Sequence, residues 1–121
     1  MKTILVVENE LSIRQLVVQL LELEGYSVLQ AENGLTAVEV AETAMPDLIL
    51  CDLLMPELDG YGVLRRLQEN PATASIPLVF LTASAAKTEQ ENCLQQGAAG
   101  FMIKPFHHVE LLDLIRSFLP H

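Results

Sequence analysis

Four short runs of the chain are apolar throughout: Ile4 to Val7, Leu48 to Cys51, Leu78 to Leu81, and Phe101 to Ile103. Unbroken apolar runs of this length, with no alternation, are what a parallel strand buried on both faces requires. A weaker run at Ser27-Val28-Leu29 makes a fifth, second in chain order. Between the runs apolar residues return at helical spacing. Ile13, Leu16, Val17, Leu20 and Leu21 form one such stripe, Ala37, Val40, Ala41, Ala44 and Met45 another, and Leu111, Leu114, Ile115, Phe118 and Leu119 a last one. Leu64 and Leu67 mark a shorter third helix, and the polar stretch Lys87 to Gln96, with Cys93 and Leu94, a fourth.

Strand and helix therefore alternate five times, which predicts an α/β fold with helices on both faces of a parallel sheet and right-handed crossovers. Gly25 and Gly97 follow the first and fourth helices, where a left-handed terminating residue is favoured, and Pro46, Pro71 and Pro77 fall in connections. Asn33-Gly34 alone would signal a hairpin, but the helical pattern after it makes it a strand-to-helix turn. Pro120-His121 is expected to end the last helix, and the whole of residues 1–121 reads as one domain.

Composition narrows the function classes. A chain of 121 residues is long enough to bury roughly two-thirds of its unfolded surface without disulfides or a structural metal. With 50% hydrophobic and 19% charged residues it is too apolar for disorder and too interrupted for a membrane span. The formal net charge of −9 repels phosphate backbones and anionic lipid, so neither nucleic acid nor a membrane surface is an expected partner. Cys51 and Cys93 form no C-x-x-C pair, which points to reduced thiols, and Cys51 sits inside an apolar run as a core residue. The first apolar run is too short for a signal peptide, so a cytoplasmic location is expected.

In an open parallel sheet, ligands bind beyond the carboxyl ends of the strands. The residues there are Glu8, Asn9 and Glu10 after the first strand, Asp52 after the third, Thr82, Ala83 and Ser84 after the fourth, and Lys104-Pro105 after the fifth. Glu8 and Asp52 a few ångströms apart would repel by several kcal/mol at an effective dielectric of about 20, so they call for a cation. A hard divalent ion with oxygen ligands, Mg²⁺ first, meets that need. An aspartate beside such an ion, with an ammonium and a hydroxyl opposite, can accept a phosphoryl group by in-line attack, and Asp52 is the expected nucleophile. Glu10 reads as a favourable charge at the start of the first helix. His107 and His108 are adjacent, a spacing that rarely brings both to one ion, and read as solvated.

Two other chemistries fail on single positions. A phosphatase of the haloacid dehalogenase type needs a second aspartate two residues after its nucleophile, where this chain has Leu54. An FMN-binding flavodoxin needs a hydroxyl-rich phosphate loop, and Glu8-Asn9-Glu10 would repel a phosphate there. No G-x-x-x-x-G-K-[ST] or G-x-G-x-x-G stands at a strand-to-helix turn.

Four segments resemble the CheY-like receiver domain of bacterial response regulators: Ile4-Leu5-Val6-Val7-Glu8-Asn9-Glu10, Asp47 to Gly60 with its Asp52-Leu53-Leu54-Met55-Pro56, Leu81-Thr82-Ala83, and Gly97 to Phe106 with its Lys104-Pro105. The resemblance runs from end to end of the chain. It implies a five-stranded sheet of order 2-1-3-4-5 with five helices, flavodoxin-like and doubly wound. It further implies Asp52 as phosphoacceptor, and Glu8, Asn9, Asp52 and the Leu54 backbone carbonyl around Mg²⁺. Thr82 with Ala83, Lys104 and Phe101 become the phosphoryl-binding and switch positions, and the Lys104-Pro105 bond is expected to be cis.

The resemblance implies a phosphoryl donor, either a sensor histidine kinase or a histidine phosphotransfer protein. Output is expected through the surface of the fourth helix, fifth strand and fifth helix to a downstream protein, with Leu112 as a partner or homodimer contact. With no residues left for an output domain, the signal is expected to pass by protein contact. Such a domain is no enzyme in the ordinary sense; it assists its own phosphorylation and dephosphorylation.

Two positions depart from the pattern. Asn9 stands where receivers usually carry Asp, which is expected to weaken Mg²⁺ binding and opens the alternative of a phosphorylation-independent interaction module. Phe101 replaces the common Tyr and lacks its hydroxyl. Leu54 and Ser84 are expected to border the path of the hydrolytic water, with the apolar Leu54 slowing dephosphorylation.

Overall fold

A computed structural model describes residues 1–119. Five strands and five helices alternate: β1 (Thr3–Val7), α1 (Leu11–Leu23), β2 (Ser27–Ala31), α2 (Gly34–Ala44), β3 (Leu48–Asp52), α3 (Gly60–Glu69), β4 (Leu78–Thr82), α4 (Lys87–Gln95), β5 (Gly100–Ile103) and α5 (His108–Phe118). All pairings are parallel and the order is β2-β1-β3-β4-β5, as expected from the sequence. The expected ending at Pro120-His121 lies outside the described residues.

The unbroken apolar runs follow from position in the sheet. β3 and β4 are buried at every residue and β1 at all but its first, because a central strand carries side chains into both faces. On one face Leu5, Val7, Ile49, Cys51, Leu78 and Phe80 pack under α2, α3 and α4. On the other Ile4, Val6, Leu48, Leu50, Val79 and Leu81 pack under α1 and α5. β2 and β5 form the edges and are only partly buried, which is why their apolar runs are weaker. The helix ends carry the expected punctuation. The Asn33 and Asp59 side chains accept hydrogen bonds from Thr36 N and Gly62 N at 2.8 and 2.9 Å. Gly25 and Gly97 close α1 and α4 with φ of +92° and +104°.

The helices bury much of the expected stripes, with Val18, Val38 and Leu112 in addition. In α1 the buried residues are Val17, Val18 and Leu21, and Leu16 is 58% exposed. Apolar residues cover so much of α1 that periodicity alone leaves two phases open. Arg14 selects one, since its guanidinium reaches the Glu8 carbonyl at 2.7 Å and Gln30 Oε1 at 3.2 Å and thereby fixes the rotation of the helix. In α2 Val38 is buried while Ala44 and Met45 are exposed, because Met45 turns into the left-handed region (φ 50°) and leaves the helix. In α5 Leu112 is 7% exposed and packs with Leu111, Ile115 and Leu119, so it is core and not the surface contact expected of it. α4 has a single buried side chain, Cys93, whose sulfur lies 3.6 Å from the Tyr61 hydroxyl of α3. Leu94 beside it is exposed. No helix among the described residues is long and apolar enough to cross a membrane.

Candidate functional site

Parallel register brings the carboxyl ends of the strands level. Asp52 is the last residue of β3 and pairs with Leu81, while Thr82 ends β4 and pairs with Ile103, so Lys104 follows directly beside it. Backbone hydrogen bonds extend each pairing one step further: Glu8 N to Ala31 O at 3.1 Å, Leu53 N to Leu81 O at 3.1 Å and Lys104 N to Thr82 O at 2.7 Å. The side chains that emerge from these steps are therefore placed by the sheet and not by free loops.

Glu8, Asp52 and Thr82 are buried, at 2%, 9% and 3% exposure. The Lys104 ammonium lies 2.6 Å from Glu8 Oε1 and 3.3 Å from Asp52 Oδ1, bridging the two carboxylates. The second Glu8 oxygen accepts the Glu10 N–H at 3.1 Å, and the Arg14 contact holds the Glu8 carbonyl, so Glu8 is fixed at three atoms. Thr82 Oγ1 accepts the Ser84 N–H at 3.1 Å. Asn9, Leu54 and Ala83 lie exposed at the rim, Leu54 by 72%, and Phe101 is partly buried against the core beneath α2, α3 and α4. The Lys104-Pro105 peptide is cis. His107 and His108 are exposed, and the Glu110 carboxylate accepts the His107 N–H at the start of α5.

Arg14 escaped the reading of the sequence. Its signal is its place: a cation in the first turn of a helix opposes the dipole and needs an acceptor close by, and here that acceptor is the Glu8 carbonyl.

The electrostatics follow from burial. Loss of solvent pushes the Asp52 carboxyl above the usual carboxylate range; Lys104 opposes this and Glu8 adds to it. Burial alone would lower Lys104, but its hydrogen bond to Glu8 and the charge of Asp52 outweigh it and hold the ammonium above the ordinary lysine range. A carboxyl whose folded-state pKa is raised costs stability at neutral pH, and that cost shrinks as pH falls through the folded value and is gone below the unfolded one. Asp52→Asn is therefore expected to melt at a higher temperature than the wild type at pH 7. Thermal unfolding across pH should show the difference closing in the carboxylate range; no gain at pH 7 would contradict the raised pKa of Asp52.

The donor set fits a hard divalent cation. Two buried carboxylates share one ammonium, leaving a negative charge in excess, and their oxygens are of the kind such an ion prefers. Asn9 offers an amide oxygen but no charge. Accordingly, among the described residues no three His, Cys, Asp or Glu side chains group as a metal site by themselves.

A doubly wound parallel sheet with an aspartate, a second acid, a threonine and a lysine at its strand ends defines the receiver class. The chain belongs to the response regulator receiver domain family, whose model matches residues 4–116. It is 37% identical over 118 residues to the phosphate regulon transcriptional regulatory protein PhoB of Pseudomonas aeruginosa, covering 98% of this chain and 52% of that protein. It is 36% identical to the DNA-binding dual master transcriptional regulator RpaA of Synechocystis, covering 98% of this chain and 49% of that one. The chain thus spans about half the length of the curated relatives it matches. Among solved structures, the Vibrio cholerae chemotaxis protein CheY4 superposes with a TM-score of 0.92 at 29% identity, covering 98% of both chains. The receiver domain of the Pseudomonas aeruginosa sensor histidine kinase PA1611 superposes at 0.90 and 32% identity, covering 99% and 98%, and carries a magnesium ion coordinated in its active site cleft.

Proposed function

We propose that Asp52 accepts a phosphoryl group from the phosphohistidine of a sensor histidine kinase or a histidine phosphotransfer protein. The observation that carries this reading is the Lys104 ammonium, held between Glu8 and the buried Asp52 at the carboxyl edge of the sheet. A carboxylate oxygen of Asp52 attacks phosphorus in line, the P–N bond to the donor imidazole breaks, and the imidazole leaves with the electron pair. Lys104 is already within reach of Asp52 and offsets charge on the transferred oxygens. Burial of Asp52 removes competing water from the nucleophile and raises its basicity.

Mg²⁺ would be held by Asp52, Glu8, the Asn9 amide oxygen and the Leu54 carbonyl, and when bound it supplies further positive charge to the equatorial phosphoryl oxygens. Thr82 and the backbone at Ala83 lie at the end of the neighbouring strand, where a hydroxyl can turn from local bonding toward an acyl phosphate. Its departure leaves room for Phe101, and the surface of α4, β5 and α5 changes with it as a shift between two populations. A downstream protein, or a second copy of the chain, reads that surface. The reading places the chain in the cytoplasm, in keeping with two free thiols, Cys51 and Cys93.

The test is the intact mass of the chain after acetyl phosphate and Mg²⁺: a single phosphoryl adduct supports the reading. Asn9 favours a second one, in which the fold serves as an interaction module without phosphorylation, and no adduct at millimolar metal would select it. Restoring the missing charge discriminates further. Asn9→Asp is expected to tighten Mg²⁺ binding on the order of tenfold, the worth of one charge-assisted contact. Isothermal titration of both proteins reads this directly; equal affinities would mean that position 9 is no ligand.

A further inference from the structure

The segment from Leu53 to Asp59 leaves the phosphoacceptor, passes the Leu54 carbonyl and returns to α3. Its tightest point is Glu57, a non-glycine residue with φ +69° flanked by a Leu58 N to Pro56 O hydrogen bond of 2.9 Å. Such a γ-turn is strained and persists only where its surroundings hold it. The hold is on Leu58. Its side chain lies against Gly62 in α3, where a Cβ would collide with Leu58 Cδ1, and its main chain lies against Gly34, the first residue of α2. A Cβ on Gly34 would fall 2.5 Å from the Leu58 carbonyl oxygen and 3.0 Å from both Leu58 Cβ and Val63 Cγ2.

Gly34 has no left-handed backbone that would demand glycine. Alanine is the better helix former, so propensity does not call for glycine there either. What glycine provides at this position is proximity: α2 can rest directly on a backbone oxygen, an atom that cannot rotate away as a side-chain end would.

We infer that Gly34 is a positioning residue for the phosphoacceptor loop, setting the distance of residues 53–59, and of the Leu54 carbonyl among them, from Asp52. The inference rests on the proposed function, in which that carbonyl is a metal ligand. Gly34 touches neither metal nor phosphoryl group; it acts through Leu58. A larger residue at position 34 displaces the loop and loosens metal binding, while Asp52, fixed by β3, keeps its reactivity once the metal is bound.

The test uses Gly34→Ala in the whole chain, with Mg²⁺ titrated calorimetrically, amide NMR shifts recorded without metal, and acetyl phosphate as donor. Expected are Mg²⁺ binding weakened roughly fivefold or more, in keeping with the strain of overpacking, shifts at Leu53 to Asp59, and a phosphorylation rate at saturating Mg²⁺ within about twofold of wild type. Unchanged Mg²⁺ affinity with a raised melting temperature would overturn the inference, since that is what a simple gain in helix propensity gives. Leu58→Ala keeps the carbonyl and Cβ that rest on Gly34 but removes the side-chain hold on Gly62, so it loosens the same loop without overpacking and serves if Gly34→Ala does not fold. It too is expected to weaken Mg²⁺ binding, and unchanged affinity in it overturns the inference. If the wild type binds no Mg²⁺, the proposed function fails, and the amide shifts still decide the position of the loop: changes confined to α2 overturn the inference, changes across residues 53–59 support it.

Discussion

Asp52→Ala is expected to take up no phosphoryl group from acetyl phosphate under conditions in which the wild type gains one. Mass spectrometry of the intact protein, quenched in mild acid, reads the outcome. A small-molecule donor needs no partner surface, so the loss falls on the nucleophile alone. Complete loss is expected because no neighbouring carboxylate can take its place. Glu8 is engaged at one oxygen by Lys104 and at the other by the Glu10 N–H, and Asp59 is occupied in capping α3. An adduct of equal yield in Asp52→Ala would move the phosphoacceptor elsewhere and remove the proposed function.

The second large effect is expected at Lys104. Lys104→Met leaves Glu8 and Asp52 buried without their shared cation, and breaking a buried ion pair from one side costs about 3 kcal/mol, a fall of roughly 10 °C in melting temperature. The sign of its pH dependence identifies the cause. In the wild type the folded-state pKa of Lys104 is shifted up, so the ammonium's contribution is fully present below the unfolded lysine range and is lost only as pH rises through the higher folded value. In Lys104→Met the Asp52 carboxyl, raised by burial and now without its opposing cation, binds a proton more readily in the folded chain than in the unfolded one, so the deficit shrinks as pH falls. Thermal melts from neutral to acid pH measure this, and a deficit independent of pH would assign the loss to packing of the lysine stem. Phosphorylation should fall as well, because the same ammonium faces Asp52.

What was legible in the sequence follows the same physics. β1, β3 and β4 could be read because burial on both faces forces an unbroken apolar run, and their ends therefore located Glu8, Asp52 and Thr82. The phase of α1 could not be read, since its apolar arc is wider than the face it buries and the deciding contact, Arg14 on the Glu8 carbonyl, joins two segments. Leu112 was misplaced for a related reason: α5 buries a wider face than its spacing marked, and only the packing of Leu112 beside Leu111 and Ile115 shows it. Asn33-Gly34 was legible as a helix start, but the use of Gly34 was not, because what it accommodates is a backbone oxygen from another part of the chain.

The single buried side chain of α4 has a thermodynamic corollary. Apart from Cys93 and its contact with Tyr61, α4 is tied down chiefly where Gln68 donates to the Gln96 carbonyl and where Ala98 N returns to Cys93 O. Detaching the helix therefore removes only one side chain from the core, against three in α1 and three in α5. Its local opening is therefore expected to cost less than global unfolding. If the proposed function holds, a small bias generated at the strand ends is expected to redistribute α4 between docked and undocked forms without endangering the rest of the molecule, with the thiol that anchors it accessible only in the undocked form.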